Sequence, residues 1–179
     1  MRKMTKLARY FVALLILPLS SQEMVIGEEL MAPGIKIVFE GAPKDTIFPV
    51  GSHLKENETD IHIEMLANWS ANNSLNFPVG GFVAYLDVQV LIKNQNGKST
   101  KIKLSPHINL IDSLHYAKNI KLPGSISDTY DVSFIIDADQ MADLGIHNDW
   151  HKKVGPFVTK HTFSYKNLSF ESVAKAQRL

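Results

Sequence analysis

The sequence predicts an all-β protein, an immunoglobulin-like antiparallel β-sandwich of about seven strands. Three observations lead there. Apolar residues recur at every second position in several segments of the 179-residue chain. Turn-forming pairs such as Pro33-Gly34, Asn96-Gly97 and Pro123-Gly124 separate those segments at regular spacing. Past the N-terminus, no long stretch carries the 3.6-residue apolar period of a helix. A small barrel is the competing architecture.

The start of the chain differs from the rest. Arg2, Lys3, Lys6 and Arg9 precede an apolar run over residues 11–19. A basic start before a short apolar stretch is the pattern of a secretory signal peptide, and the run is too short to span a bilayer. The expected division is a leader over residues 1–27, cut after Ser21 or after Gly27, and one domain over residues 28–179. An uncleaved anchor is the alternative, disfavoured by the polar residues that follow so soon.

Residues 34–40 read as the first strand, closed by Gly41-Ala42-Pro43, and residues 42–55 as a loop with Pro43, Pro49 and Gly51. The second strand covers 58–69 and a polar, turn-rich stretch covers 70–81. Over 82–93 the alternate set Phe82, Ala84, Leu86, Val88, Val90, Ile92 is wholly apolar. Asn94-Gln95-Asn96-Gly97 then makes a hairpin turn, where Asn-Gly tolerates positive φ. One returning strand is expected over 99–107, with Ile102 and Leu104 inward and Lys101, Lys103, Ser105 and His107 opposite. Further strands cover 114–122, 129–137 and 157–166, with a long connection over 139–153 and a short, helix-prone tail from Ser169.

Composition excludes several classes. Nineteen basic residues against 18 acidic ones leave no nucleic-acid footprint, and loss of the leader turns the balance slightly acidic. With no cysteine, an exported chain lacks disulfides, and thiolate metal sites are ruled out. No nucleophile elbow, phosphate-binding loop, dinucleotide fingerprint or His-Glu-x-x-His is present. The chain is therefore expected not to be an enzyme.

The chemistry-bearing stretch runs from Glu56 to Met65. At strand period, Glu56, Glu58, Asp60, His62 and Glu64 share one face, with Ile61, Ile63 and Met65 on the other. Neighbours on one face lie roughly 6.5–7 Å apart. Crowded carboxylates repel unless a cation sits among them, and carboxylate with imidazole suits a divalent metal. The competing reading is a solvated strand face. Seven histidines follow the leader. His161 shares parity with Phe157, Phe163 and Tyr165 and reads as a core histidine, while His53 and His151 lie in loops. His107, His115 and His147 stand at strand ends or in the long connection, where a rigid sandwich displays binding residues.

Four segments, Thr59-Asp60-Ile61-His62, Phe82-Val83-Ala84-Tyr85-Leu86, His115-Tyr116-Ala117-Lys118-Asn119-Ile120 and Gly145-Ile146-His147, occur in this order. Together they resemble the bacterial periplasmic high-affinity iron-transport protein family over residues 34–165. The resemblance implies an immunoglobulin-like sandwich, usually a homodimer, that binds copper and iron beside a membrane iron permease. Its copper site looks like a His and a Glu from the early strand, a Met, and two further His. Carried over, the Glu falls on Glu58 and the two His on His115 and His147. The family's Met-Pro-Met becomes Ser105-Pro106-His107, so His107 stands for the ligand Met, with one extra residue before His115. Its first His becomes Glu56, or His53 if Lys55-Glu56-Asn57 is an insertion. The Thr-Gly-Val and paired tryptophans that follow in the family are missing.

The expected ligands are thus Glu58, His107, His115 and His147, with Glu56 and His62 as ligands or as partners of ligands. Imidazole in place of thioether makes the site less suited to Cu(I), and Cu(II), Fe(II), Mn(II) or Zn(II) relatively better. The expected protein is a periplasmic metal-binding one, with copper or iron, supporting iron uptake and not inserted in the membrane once the leader is removed. The alternatives are a metal-free immunoglobulin-like interaction module and a periplasmic copper chaperone.

Overall fold

The computed structural model describes residues 23–140 and 143–178. Residues 1–22 of the expected leader over residues 1–27 lie outside the described residues. Among those described, nine strands and two short helices follow in the order β1 (Met24–Met31), β2 (Ile35–Ala42), β3 (Ile61–Trp69), β4 (Leu86–Asn94), β5 (Ser99–Lys103), β6 (Ser105–Asn109), β7 (Ser113–Ile120), β8 (Thr129–Ala138), α1 (Asn148–Lys153), β9 (His161–Ser169) and α2 (Glu171–Lys175). The strands form two antiparallel sheets, β1-β2-β3-β7-β6 and β5-β4-β8-β9, packed as an immunoglobulin-like sandwich.

Alternation decides which side of each strand faces the other sheet. Ile35, Ile37 and Phe39 of β2 and Ile61, Ile63, Met65 and Ala67 of β3 are fully buried. They meet Val88, Val90 and Ile92 of β4 and Val132, Phe134 and Ile136 of β8, equally buried. Phe39 stacks on Phe134 across the sandwich at 4.1 Å between ring centres. The Asn94 turn forms as expected: its side-chain oxygen accepts from the backbone N–H groups of Asn96 and Lys98, and Gly97 takes φ +85°.

Three departures from the sequence expectation bear on the site. First, β1 exists, and includes residues 24–27, which the longer leader would remove. A register shift between Val25 and Gly27 breaks the two-residue period that would have revealed it. Gly27 also needs its missing side chain, because a Cβ there would sit 2.4 Å from the Tyr165 ring. Second, β4 begins at Leu86, because Tyr85 takes φ +63°. The Tyr116 hydroxyl secures that entry, donating to the Val83 carbonyl and accepting from the Leu86 N–H. Third, the single strand expected over 99–107 is two. β5 pairs with β4 and β6 with β7, so the chain changes sheets at buried Leu104.

Phe39→Ala should cost about 3–5 kcal/mol, the usual penalty for emptying a buried phenylalanine site. Urea unfolding of the metal-free chain measures it.

Candidate metal centre

The outward face of β3 carries His62 and Glu64, yet both are buried, at 1 % and 0 % exposure. Glu64 stands opposite Ala117 of β7, whose small side chain leaves room beside it. His115 lies two residues before Ala117 on the same face, and the sheet change at Leu104 sets His107 directly across from His115. His115 Nε2 lies 3.6 Å and His62 Nε2 3.9 Å from the Glu64 carboxylate. The His107 ring centre is 5.3 Å from that of His62 and 6.0 Å from that of His115. His53 adds a fourth imidazole, edge-on to His107 at 4.9 Å.

The tautomers of two rings are set by their neighbours. His62 Nδ1–H donates to the Asn119 side-chain oxygen at 2.8 Å. The Asn119 amide nitrogen in turn donates to the carbonyls of Asp45 and Leu54, which fixes its orientation and ties down the 43–55 loop. His115 Nδ1–H donates to the Ser113 carbonyl. Both rings therefore direct an unprotonated Nε2 toward Glu64, the arrangement that orients a metal-binding imidazole.

Burial dominates the electrostatics. Desolvation holds His62 down to about 4 and His107 to about 3, with neighbouring imidazoles adding to the effect. It lowers His115 and His53 as well. It also pushes Glu64 up to about 8, helped by Asp112. Among the described residues, neither Glu64 oxygen accepts a hydrogen bond. A buried carboxyl group without a donor, among imidazoles that stay neutral, fits a divalent cation. One nitrogen each from His62, His107 and His115 lie within 4.8 Å of one another, as do atoms of Glu64, Asp112 and His115.

Of the residues expected as ligands, the structure brings His62, His107 and His115 together. It places Glu56 and Glu58 elsewhere, in an exposed 3₁₀ turn that precedes β3. Thr59 closes that turn, donating from its hydroxyl to the Lys55 carbonyl and from its N–H to Glu56. The strand period therefore does not extend back from Asp60 to these glutamates. His147 is exposed just before α1 and lines an apolar cleft of about 530 Å³ with Trp69, Phe77 and Trp150. His161 packs on Phe163 and donates from Nδ1 to the Thr159 carbonyl. Glu64, Asp112 and Asn119 were not among the expected ligands. The His62-x-Glu64 spacing on one strand was the signal for Glu64.

An immunoglobulin-like sandwich with carboxylate and imidazole on one outer face defines a class of candidate metal-binding β-sandwich proteins. The chain belongs to the Fe2+ transport protein family, whose model matches residues 20–172. It is similar in structure to a copper-bound variant of Campylobacter jejuni P19, with 26 % identity and a TM-score of 0.69 over 80 % of this chain and 94 % of that one. FetP of uropathogenic Escherichia coli strain F11, recombinantly expressed in the periplasm, shares the fold at a TM-score of 0.69 and 23 % identity, over 83 % of this chain and 96 % of that one. A UPF0423 protein of Brucella abortus is 28 % identical over 166 residues, covering 86 % of this chain and 90 % of the relative.

The pKa directions give the metal-free chain a stability optimum near neutrality. Unfolded histidines, near 6.5, bind protons that folded His62 and His107 refuse, so stability climbs with pH up to about 6.5. Glu64 acts the other way: folded, it keeps to about pH 8 a proton that the unfolded chain has lost. Above about 6.5 it acts without opposition, and stability should fall by ~2 kcal/mol toward pH 8, at roughly 1.4 kcal/mol per unit. Urea unfolding at a series of pH values should show this fall in the native sequence and not in Glu64→Gln. A native curve that is level from pH 6.5 to 8 means that buried Glu64 is already ionised.

Proposed function

We propose that this chain is an exported, periplasmic protein that binds a divalent metal, copper or iron, and supports high-affinity iron uptake beside a membrane iron permease. The observation that carries the reading is the Glu64 carboxylate, buried without a hydrogen-bond donor among His62, His107 and His115. These four side chains would hold the ion, and Asn119 orients His62 toward it. The set is three nitrogens and a carboxylate, which suits Cu(II), Fe(II), Zn(II) or Mn(II) better than Cu(I). Copper bound to the C. jejuni P19 variant and membership of the Fe2+ transport family support the same reading. Binding and delivery are the proposed activity, not catalysis.

Export rests on the leader-like start, and a cut after Ser21 keeps all of β1, whereas one after Gly27 divides it. Among the described residues no helix is long and apolar enough to cross a membrane. A homodimer would reconcile the expected ligand role of His147 with its place in the fold. Within a chain His147 belongs to the apolar cleft, so a second copy would have to bring it to the metal.

Metal analysis of the untagged protein, with titrations of Cu, Fe, Mn and Zn, tests the reading. His62→Ala and His115→Ala should abolish stoichiometric binding, and Glu58→Ala should leave it unchanged. Asn119→Ala should weaken binding by about 10–100-fold through loss of ring orientation. An absence of stoichiometric binding in the native protein sinks the proposal in favour of a metal-free interaction module. Tight copper binding with unaltered iron uptake in a deletion strain points to a copper chaperone.

A further inference from the structure

The family match ends at residue 172, but the chain continues in an ordered strap. Phe170 is fully buried against Tyr130 and over Gly41, where a Cβ would come within 3.2 Å of its ring. Val173 and Ala174 of α2 are buried beside it. The strap is thereby anchored in the core, and its last described residue returns to the metal centre. The Arg178 guanidinium lies 3.6 Å from Asp45 and 4.0 Å from Asp112, with its side chain only 15 % exposed.

Asp112 is itself 10 % exposed and fixed in the β6–β7 turn, where Asn109 donates to its carboxylate. Asp112 belongs, with Glu64 and His115, to the second group of side chains close enough to share an ion. Glu40 stands across from Glu64 on the same face. The carboxylate half of the centre therefore gathers Glu40, Asp112 and Asp45, while Glu64 faces the imidazole half, His62, His107 and His115. The guanidinium sits at the carboxylate half. Its charge is felt by Glu64, His62 and His115 alike.

We propose that Arg178 is an internal cation that holds the carboxylate half of the centre and limits each chain to one metal ion, bound at the imidazole half. The inference rests on the metal-binding reading above. A guanidinium is a fixed positive charge that cannot be deprotonated, and it repels a second cation from Asp112. Its selectivity follows: hard, oxygen-seeking ions such as Mn2+ gain most from free carboxylates and are disfavoured while Arg178 is in place.

Equilibrium dialysis with elemental analysis, using the untagged full-length chain and Mn2+ or Cu2+ alone, tests this. The native protein should bind one Cu2+ per chain and Mn2+ weakly. Arg178→Gln, and a chain ending at Ala176, should bind a second ion and gain at least about tenfold in Mn2+ affinity. Arg178→Lys keeps the charge and should resemble the native chain. Asp112→Asn added to Arg178→Gln should remove the second ion. A native chain that binds one ion, with Arg178→Gln indistinguishable from it, overturns the role of Arg178 and leaves the metal reading standing. A native chain that already binds two ions overturns it as well. If neither protein binds any ion, the metal reading itself has failed.

Discussion

Glu64 is the constraint around which this sandwich is arranged. A carboxylate taken out of water without donors costs several kcal/mol unless it is protonated or meets a cation. The fold keeps it there through a set of complementary choices. Ala117 leaves space beside it, His62 and His115 turn their unprotonated nitrogens toward it, and Asn119 pins a loop over the outer face. Without the loop, an outward strand face would be solvated and Glu64 would be an ordinary surface acid.

The two faces of β3 divide the work. Its inward residues, Ile61, Ile63 and Met65, join the apolar core that sets the register with β2 and β7. That register then decides which outward residues meet. A shift of one residue would exchange the two sets completely. The core therefore supplies the precision of the site without contributing a ligand. The change of sheets at Leu104 extends the same logic, because only a strand that leaves β4 can bring His107 across from His115.

The sequence made the sandwich legible because alternation over β2, β4 and β8 is nearly unbroken, and because turn residues punctuate it. It also showed the strand face on which His62 and Glu64 lie. It did not show where that face begins, since a 3₁₀ turn at Glu56 and a strand at Glu58 share the same polar composition. The Glu56-x-Glu58 pair that would carry the family's His-x-Glu pattern falls in that turn, whereas His62-x-Glu64, six residues on, lies in the buried cluster. β1 was hidden by its bulge, and the switch between sheets at Leu104 by an alternation that continues through it. The covering of the outer face by the 43–55 loop and the C-terminal strap is a long-range effect, with no local signal in sequence.

Three kinds of positive charge can neutralise the carboxylates of this centre, and they are not equivalent. A proton on Glu64 is the cheapest near neutral pH, because burial has already raised its affinity. The Arg178 guanidinium is tethered, so it acts at fixed effective concentration but reaches only the Asp45 and Asp112 side. A divalent metal supplies more charge than either and would also engage the imidazoles, which burial keeps unprotonated near neutral pH and a guanidinium, having no acceptor to offer, cannot ligate. Metal binding must therefore displace the proton from Glu64 without needing to displace the arginine. Affinity would then be governed by pH through Glu64 and by the strap through Asp45 and Asp112. A centre built this way would hold an ion by three nitrogens and the Glu64 carboxylate, and leave Asp45 and Asp112 to the arginine.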